Sequence, residues 1–336
     1  MKTTRRVRIT ALVALVAAVA GVVEAHGSAA RRAALPNVGT VVAKIPIPPE
    51  TGALAVGEGA VWATSDALKV PLLTRIDPAT NTVVARVPIA ATNACTDIPG
   101  SCGEAAAGNG ALWIARTFDN SVLRIDPRDN SLATIPVGSE PEGIATTPGA
   151  VWVVNKGVAT VSRIDPATNE VVATVRIGPA PCCSDHMAVA AGAGAVWVSV
   201  PSAYSIVRID PRTNAVIARV RLSASQQPCA MLAAGGGSVW ATGGAGCGTG
   251  LLRVNGRTNR PAGAVKGTSM PVGVAFGFGS VWVADLDGQI VRINPKTDRI
   301  VGRLGLRGTP VRLAVGFGSL WVRDDTGRVL RIKPQR

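Results

Sequence analysis

The sequence predicts an all-β fold, a seven-bladed β-propeller of four-stranded antiparallel blades closed by its own two ends. Three observations predict it. Seven tryptophans, Trp62, Trp113, Trp152, Trp197, Trp240, Trp282 and Trp321, recur along the chain at a period of about 40 to 50 residues, which is that of a propeller or solenoid. Each sits in the same local text: an apolar run around the Trp, then Arg-Ile-Asp-Pro or a close variant, then a Val-rich run. The chain ends are also complementary. The last copy (311–315, 319–323 and 328–333) stops one strand short, while the stretch 39–47 (GTVVAKIPI) reads as a fourth strand with no blade of its own. An N-terminal strand that completes the seventh blade removes both open edges. An open solenoid would leave the complementary ends unexplained.

The copy at 142–178 shows the four strands, read at 143–146, 150–154, 160–165 and 170–177. No run keeps a helical period, and Gly, Pro and Asn fill every gap. The second run, AVWVV, is apolar on both faces and suits a strand buried on both sides. The fourth, VVATVRI, alternates and suits an outer strand with one wet face. Pro148-Gly149 makes a tight turn. In Asp165-Pro166-Ala167-Thr168-Asn169 the Pro fixes φ, the Asn takes a left-handed conformation and the Asp accepts from turn amides. Arg75, Arg124, Arg163, Arg208, Arg253, Arg292 and Arg331 share one register on the third strand. A residue placed alike in every blade is expected to be structural, bonding the acidic turn of its own or the next blade.

Residues 1–25 read as a signal peptide: Lys2, Arg5, Arg6 and Arg8 form a positive start, 9–23 is apolar, and Val23-Glu24-Ala25 resembles a cleavage site. Residues 26–38 read as a flexible lead-in and 39–336 as the propeller. The expected location is outside the cytoplasm, secreted or in the periplasm or cell envelope, with no transmembrane segment after cleavage and a monomeric state. The net charge is +14. A basic exported protein can bind polyanions, but one Tyr and four Phe provide no aromatic-interleaved basic stripe, which speaks against nucleic acid.

The turns joining strands one to two and three to four lie on one side of a propeller and are nearly constant here. The remaining links lie on the other side and vary. All six cysteines fall there: Cys95, Cys102, Cys182, Cys183, Cys229 and Cys247. Loops on a rigid scaffold carry binding. Six cysteines in an exported chain suggest three disulfides without fixing their pairing. Cys95 with Cys102, Cys229 with Cys247 and a vicinal Cys182–Cys183 is one arrangement; a zinc or copper site with His186 is the alternative. Cys102, His186 and Cys229 each stand eleven residues before their Trp, a place held elsewhere by Pro141, Pro271 and Pro310. Three residues past the Trp lie Ser65, Arg116, Asn155, Asp285 and Asp324, expected to reach the channel mouth. Asp66, Asp285, Asp287, Asp324 and Asp325 would form an acidic side with Arg116 and Lys156 across from it. Such a pocket suits a polar small ligand, with Asp185, Glu142 and Asn155 among its contacts, or a divalent cation held by Asp285 and Asp324. Ordinary solvated loop charge is the competing reading.

The pattern GxGAVWV…RIDPxTNxVVA…PxGIA resembles the exported β-propellers of the YVTN and virginiamycin B lyase-like group over about residues 39–334. The resemblance implies the seven-bladed fold. It also implies a Mg²⁺-dependent lyase that opens a cyclic depsipeptide by elimination, with His and Glu in the mouth loops. His186 is the candidate base, and Glu104 and Glu142 are the acids able to face the mouth. The positions after each Trp carry no Glu where that group often has one. The leading expectation is therefore a non-catalytic binding scaffold for a small molecule, peptide or cell-envelope protein, needing no cofactor. A lyase using His186 with Mg²⁺ or Ca²⁺ is second. Third is a quinone-cofactor propeller, on the likeness of a vicinal disulfide beside a channel to quinoprotein dehydrogenases.

Overall fold

The computed structural model describes residues 35–49, 52–65, 71–89, 104–179, 186–243 and 250–335. These form seven four-stranded antiparallel sheets, each consecutive in the chain except the last. Blade 7 is Pro310–Gly316, Ser319–Asp324 and Arg328–Pro334, and its outermost strand is the N-terminal Gly39–Pro46. The strand between 39 and 47 is therefore where the sequence placed it. Its register runs from Gly39 opposite Pro334 to Pro46 opposite Arg328.

The first strands of the blades are Leu54–Gly57, Ala105–Gly108, Pro141–Thr147, Val189–Gly192, Leu232–Gly235, Pro271–Gly277 and Pro310–Gly316. Each packs on the first strand of the next blade, and that of blade 7 packs on that of blade 1. The ring is closed, with these strands innermost. The second strands, such as Ala150–Asn155, are buried along their whole length, whereas the outermost strands are exposed or half-buried along most of theirs.

The apolar core is seven slabs, one between each pair of neighbouring blades. In each slab the Trp of one blade meets Val, Ile and Leu of the next: Trp152 meets Val196 and Val198, and Trp321 meets Val61 and Ile76 across the closure. All seven rings are essentially inaccessible to solvent. Every Trp also carries the third-strand Arg over its face, at 5.0–5.7 Å from ring centroid to guanidinium carbon, a cation–π geometry. Six of these arginines then reach the outer turn of the following blade. Arg75 donates to the Pro127 carbonyl, Arg163 to Asn214, Arg208 to Asn259, Arg253 to Asp298 and Arg292 to the Gln335 carbonyl. Arg331 closes the ring on the Pro78 carbonyl and Asn81.

Blade 2 is the exception. Nine residues separate Arg124 from its cross-strand partner Ala133, where ten separate Arg163 from Ala173. The bulge that six blades carry beside this Arg or its partner strand is absent from blade 2. The Arg124 guanidinium lies 4.0 Å from Asp126 of its own blade, and its Nε is buried without a partner. A bulge bends a strand and re-aims side chains; without it Arg124 stays in its own blade.

The turn chemistry follows the sequence. Asn81, Asn130, Asn169, Asn214, Asn259 and Asp298 close the three-to-four turns at φ of 56–61°, and Asp77, Asp165 and Asp210 accept from the amide two residues on. One boundary moves. The expected lead-in 26–38 is not wholly separate from the ring, because Arg303 N–H donates to the Pro36 carbonyl, Gln335 N–H to the Val38 carbonyl, and Val38 is buried. No helix among the described residues is long and apolar enough to cross a membrane.

Candidate functional site

On the loop side, the starts of three consecutive innermost strands bring one buried charge cluster together. Glu104 directly precedes the innermost strand of blade 2. Glu142 is the second residue of that of blade 3. His186 stands just before that of blade 4. The backbone sets their approach: Glu104 N–H donates to the Glu142 carbonyl at 2.9 Å, and Met187 N–H donates to Glu142 Oε2 at 2.9 Å. Gly143 permits this closeness, since a Cβ there would meet the Met187 carbonyl oxygen at 2.7 Å.

The side chains complete the clasp. His186 Nε2 lies 3.0 Å from Glu104 Oε1, and Nδ1 lies 3.4 Å from Glu142 Oε2. The second contact is an ion-pair approach and not a hydrogen bond. Lys156 Nζ holds the other oxygen of Glu142 at 3.1 Å. Two carboxylates, an imidazole and an ammonium are thus mutually paired, with His186 only 5% exposed. Burial alone would push the imidazole toward neutrality, but the Glu104 hydrogen bond and the two close carboxylate charges outweigh it and raise the His186 pKa to about 9. Burial likewise favours the protonated Glu142, yet His186, Lys156 and the Met187 amide hold its pKa below the usual value. The raised pKa favours the imidazolium between its two carboxylates. Both ring nitrogens face carboxylates of this chain, at 3.0 and 3.4 Å.

The other expected site residues are placed differently from the reading that drew them together. Asp285 is fully buried, and its two oxygens accept from the Ser269 and Met270 amides at 2.7 Å each. Asp324 accepts from the Thr326 and Arg328 amides and from the Arg328 guanidinium. Both cap loops. Asp325 does likewise with the Thr309 amide. Asn155, expected at the mouth, is wholly buried and donates to Thr160 and Ser162, while Ser65 is buried too. Arg116 pairs with Asp119, and Lys156 with Glu142. These cations are neutralised beside their own strands, not set against an acidic wall. Asp287 is exposed, and partial desolvation together with the Asp285 charge raises its pKa.

The expected divalent cation does not fit the donors present. The carboxylate oxygens of Asp285 and Asp324 already accept from amides and guanidinium, and no group of three or more His, Cys, Asp or Glu among the described residues could hold a metal ion. Cys229 is disulfide-bonded and is not available as a thiolate ligand. Asp66, Asp185, Cys95, Cys102, Cys182, Cys183 and Cys247 lie outside the described residues.

What the sequence reading missed is the pairing of Glu104 and Glu142 with His186. A signal existed. The three residues stand nine, ten and eleven residues before the Trp of three successive blades, a diagonal across the repeat. Read one register at a time, each is a lone polar residue.

No protein-family model matches the chain, and no curated protein is similar to it in sequence. Solved structures are similar to it in fold. Selenomethionine-substituted virginiamycin B lyase from Staphylococcus aureus superposes with a TM-score of 0.69 at 12% identity, covering 87% of this chain and 98% of the lyase. A catalytically inactive variant of that lyase with quinupristin gives 0.66 at 13%, over 88% and 98%. The WD40 domain of Neurospora crassa Pan2 gives 0.67 at 11%, over 90% and 98%. At such identities the likeness is one of fold, shared by an enzyme and a WD40 domain.

Proposed function

We propose that this propeller is an exported, non-catalytic binding scaffold that offers its loop face, the one carrying the cysteines, to a small molecule, a peptide or a cell-envelope protein. The observation that carries the reading is the packing of His186. The one histidine in the repeats is buried, with its ring nitrogens 3.0 Å from Glu104 and 3.4 Å from Glu142. Its work is to tie blades 2, 3 and 4 together at the rim. A rigid rim under variable loops is the arrangement by which scaffolds present binding residues.

The lyase reading draws on the fold shared with virginiamycin B lyase and makes a separable claim. The full chain is incubated with quinupristin, the ligand of that enzyme's inactive variant, and Mg²⁺. Ring-opening elimination leaves the mass unchanged, so the readout is chromatographic retention with fragmentation. The expected result is intact cyclic peptide. A ring-opened isomer that disappears with His186→Gln would overturn the scaffold reading and restore His186 as a catalytic residue.

A further inference from the structure

The opposite face of the ring carries an aromatic and basic patch that the scaffold reading does not use. Two hairpins joining innermost to second strands, in blades 6 and 7, are Phe278-Gly279 and Phe317-Gly318. Both phenylalanines hold left-handed backbone, at φ of 52° and 49°. Asn109-Gly110 fills the same place in blade 2, and Asn is the residue such turns prefer. A bulky side chain there is strained. Yet burial offsets nothing: Phe278 is 44% and Phe317 41% exposed.

The cations are sorted to the same side. On the turn face of blades 5 to 7, Arg257, Arg260, Lys296, Arg299 and Lys333 are all exposed. None of the five is in an ion pair with a described residue, and the acid among them, Asp298, is taken by Arg253. By contrast, Arg128 and Arg212 on blades 2 and 4 each face an Asp of their own turn. Two hollows link the patch. One, of about 430 Å³, is lined by Phe278, Arg292, Gly318 and Lys333. The other, of about 440 Å³, shares Arg292 and is lined by Pro36, Asn37 and Val38. The chain therefore enters the ring, at Pro36 to Val38, beside this patch.

We propose that the turn face of blades 5 to 7 docks on an anionic lipid bilayer, with Phe278 and Phe317 in the headgroup layer and the five cations over the acidic lipids. Aromatic tips flanked by Lys and Arg match the interface of a charged membrane. Apolar tips together with a basic patch supply the two signals that stable membrane attachment takes. The loop face then points away from the membrane.

The test uses the chain from Leu35, which holds every strand of the closed ring, in flotation with vesicles. Binding is expected to phosphatidylcholine containing about one-third phosphatidylglycerol and not to phosphatidylcholine alone. Phe278→Asn with Phe317→Asn lowers partitioning about tenfold. The unfolding midpoint holds or rises, because Asn relieves the turn strain. Lys296→Gln with Lys333→Gln lowers partitioning about fivefold per charge. Arg86→Gln with Arg176→Gln removes equal charge from outermost strands and changes it less than about twofold. The proposal is overturned by failure to float with anionic vesicles, which would leave the patch to a protein partner. It is equally overturned if the Phe pair binds like the parent, or if the outermost-strand pair costs as much as the turn pair.

Discussion

Two sets of buried or half-buried charges hold this ring together, and they differ in symmetry. The Trp–Arg girdle occurs seven times, once per blade, and in six blades the Arg reaches the next blade. The Glu104–His186–Glu142–Lys156 clasp occurs once, on blades 2 to 4. A contact that every blade repeats serves what every blade needs, which is packing on a neighbour. A contact that one sector makes alone marks where the loops above it demand a particular rim. Symmetry separates scaffold from site better than charge does, since a cation paired with a carboxylate occurs in both settings, Arg253 with Asp298 in the girdle and Lys156 with Glu142 in the clasp.

The sharpest way to break the comparison is to strike the repeated element. Trp197→Ala removes a fully buried ring from the slab between blades 4 and 5 and is expected to cost about 3–5 kcal/mol. Trp282→Ala, in the slab between blades 6 and 7, should cost the same, measured by chemical denaturation. Unequal costs would mean the blades do not share one packing device.

The unique clasp should betray itself through pH instead. The folded pKa of His186, about 9, lies above its unfolded value of 6.5. Its stabilisation is then complete below about pH 6.5 and is lost as pH rises through about 9, a change on the order of 3 kcal/mol. Glu142, held below its ordinary value, acts in the other direction: its contribution is present above the unfolded carboxylate range and fades as pH falls through the folded value. Thermal midpoints should therefore decline between pH 6.5 and 9, and His186→Gln should flatten that decline while lowering stability throughout. A parent midpoint that is level across that interval would mean the imidazole is neutral, and would reopen its use as a base.

The fold was legible because it is written seven times. Trp spacing gave the blades, Asn and Asp gave the turns, and the unpaired run at 39–47 gave the closure. The candidate site was legible only in pieces. His186 stood out as a lone histidine, but its partners come from two other blades at shifted registers, and side-chain reach across a ring leaves no periodic trace. Asp285 and Asp324 misled for a related reason. Three residues past a Trp, a carboxylate reads as a mouth group, and nothing in the text tells that the amides of Ser269, Met270, Thr326 and Arg328 will turn toward it. Backbone donors are invisible in a sequence.

The smallest expected effect tests the girdle at its one irregular blade. Arg331→Met removes the bonds to Pro78 and Asn81 that join blade 7 to blade 1, a bond to Ser319 of its own blade and the cation–π contact, and should cost about 2 kcal/mol. Arg124→Met keeps the packing stem and loses a ring contact of 5.7 Å and a 4.0 Å approach to Asp126, worth about 0.5 kcal/mol. Inserting one residue between Asn130 and Ala133 restores the spacing of the other blades and with it the bulge. If the bulge is what aims the arginine at the next blade, Arg124→Met in that background should cost as much as Arg331→Met. An unchanged small cost would assign the difference to the turn of blade 3 rather than to the missing residue.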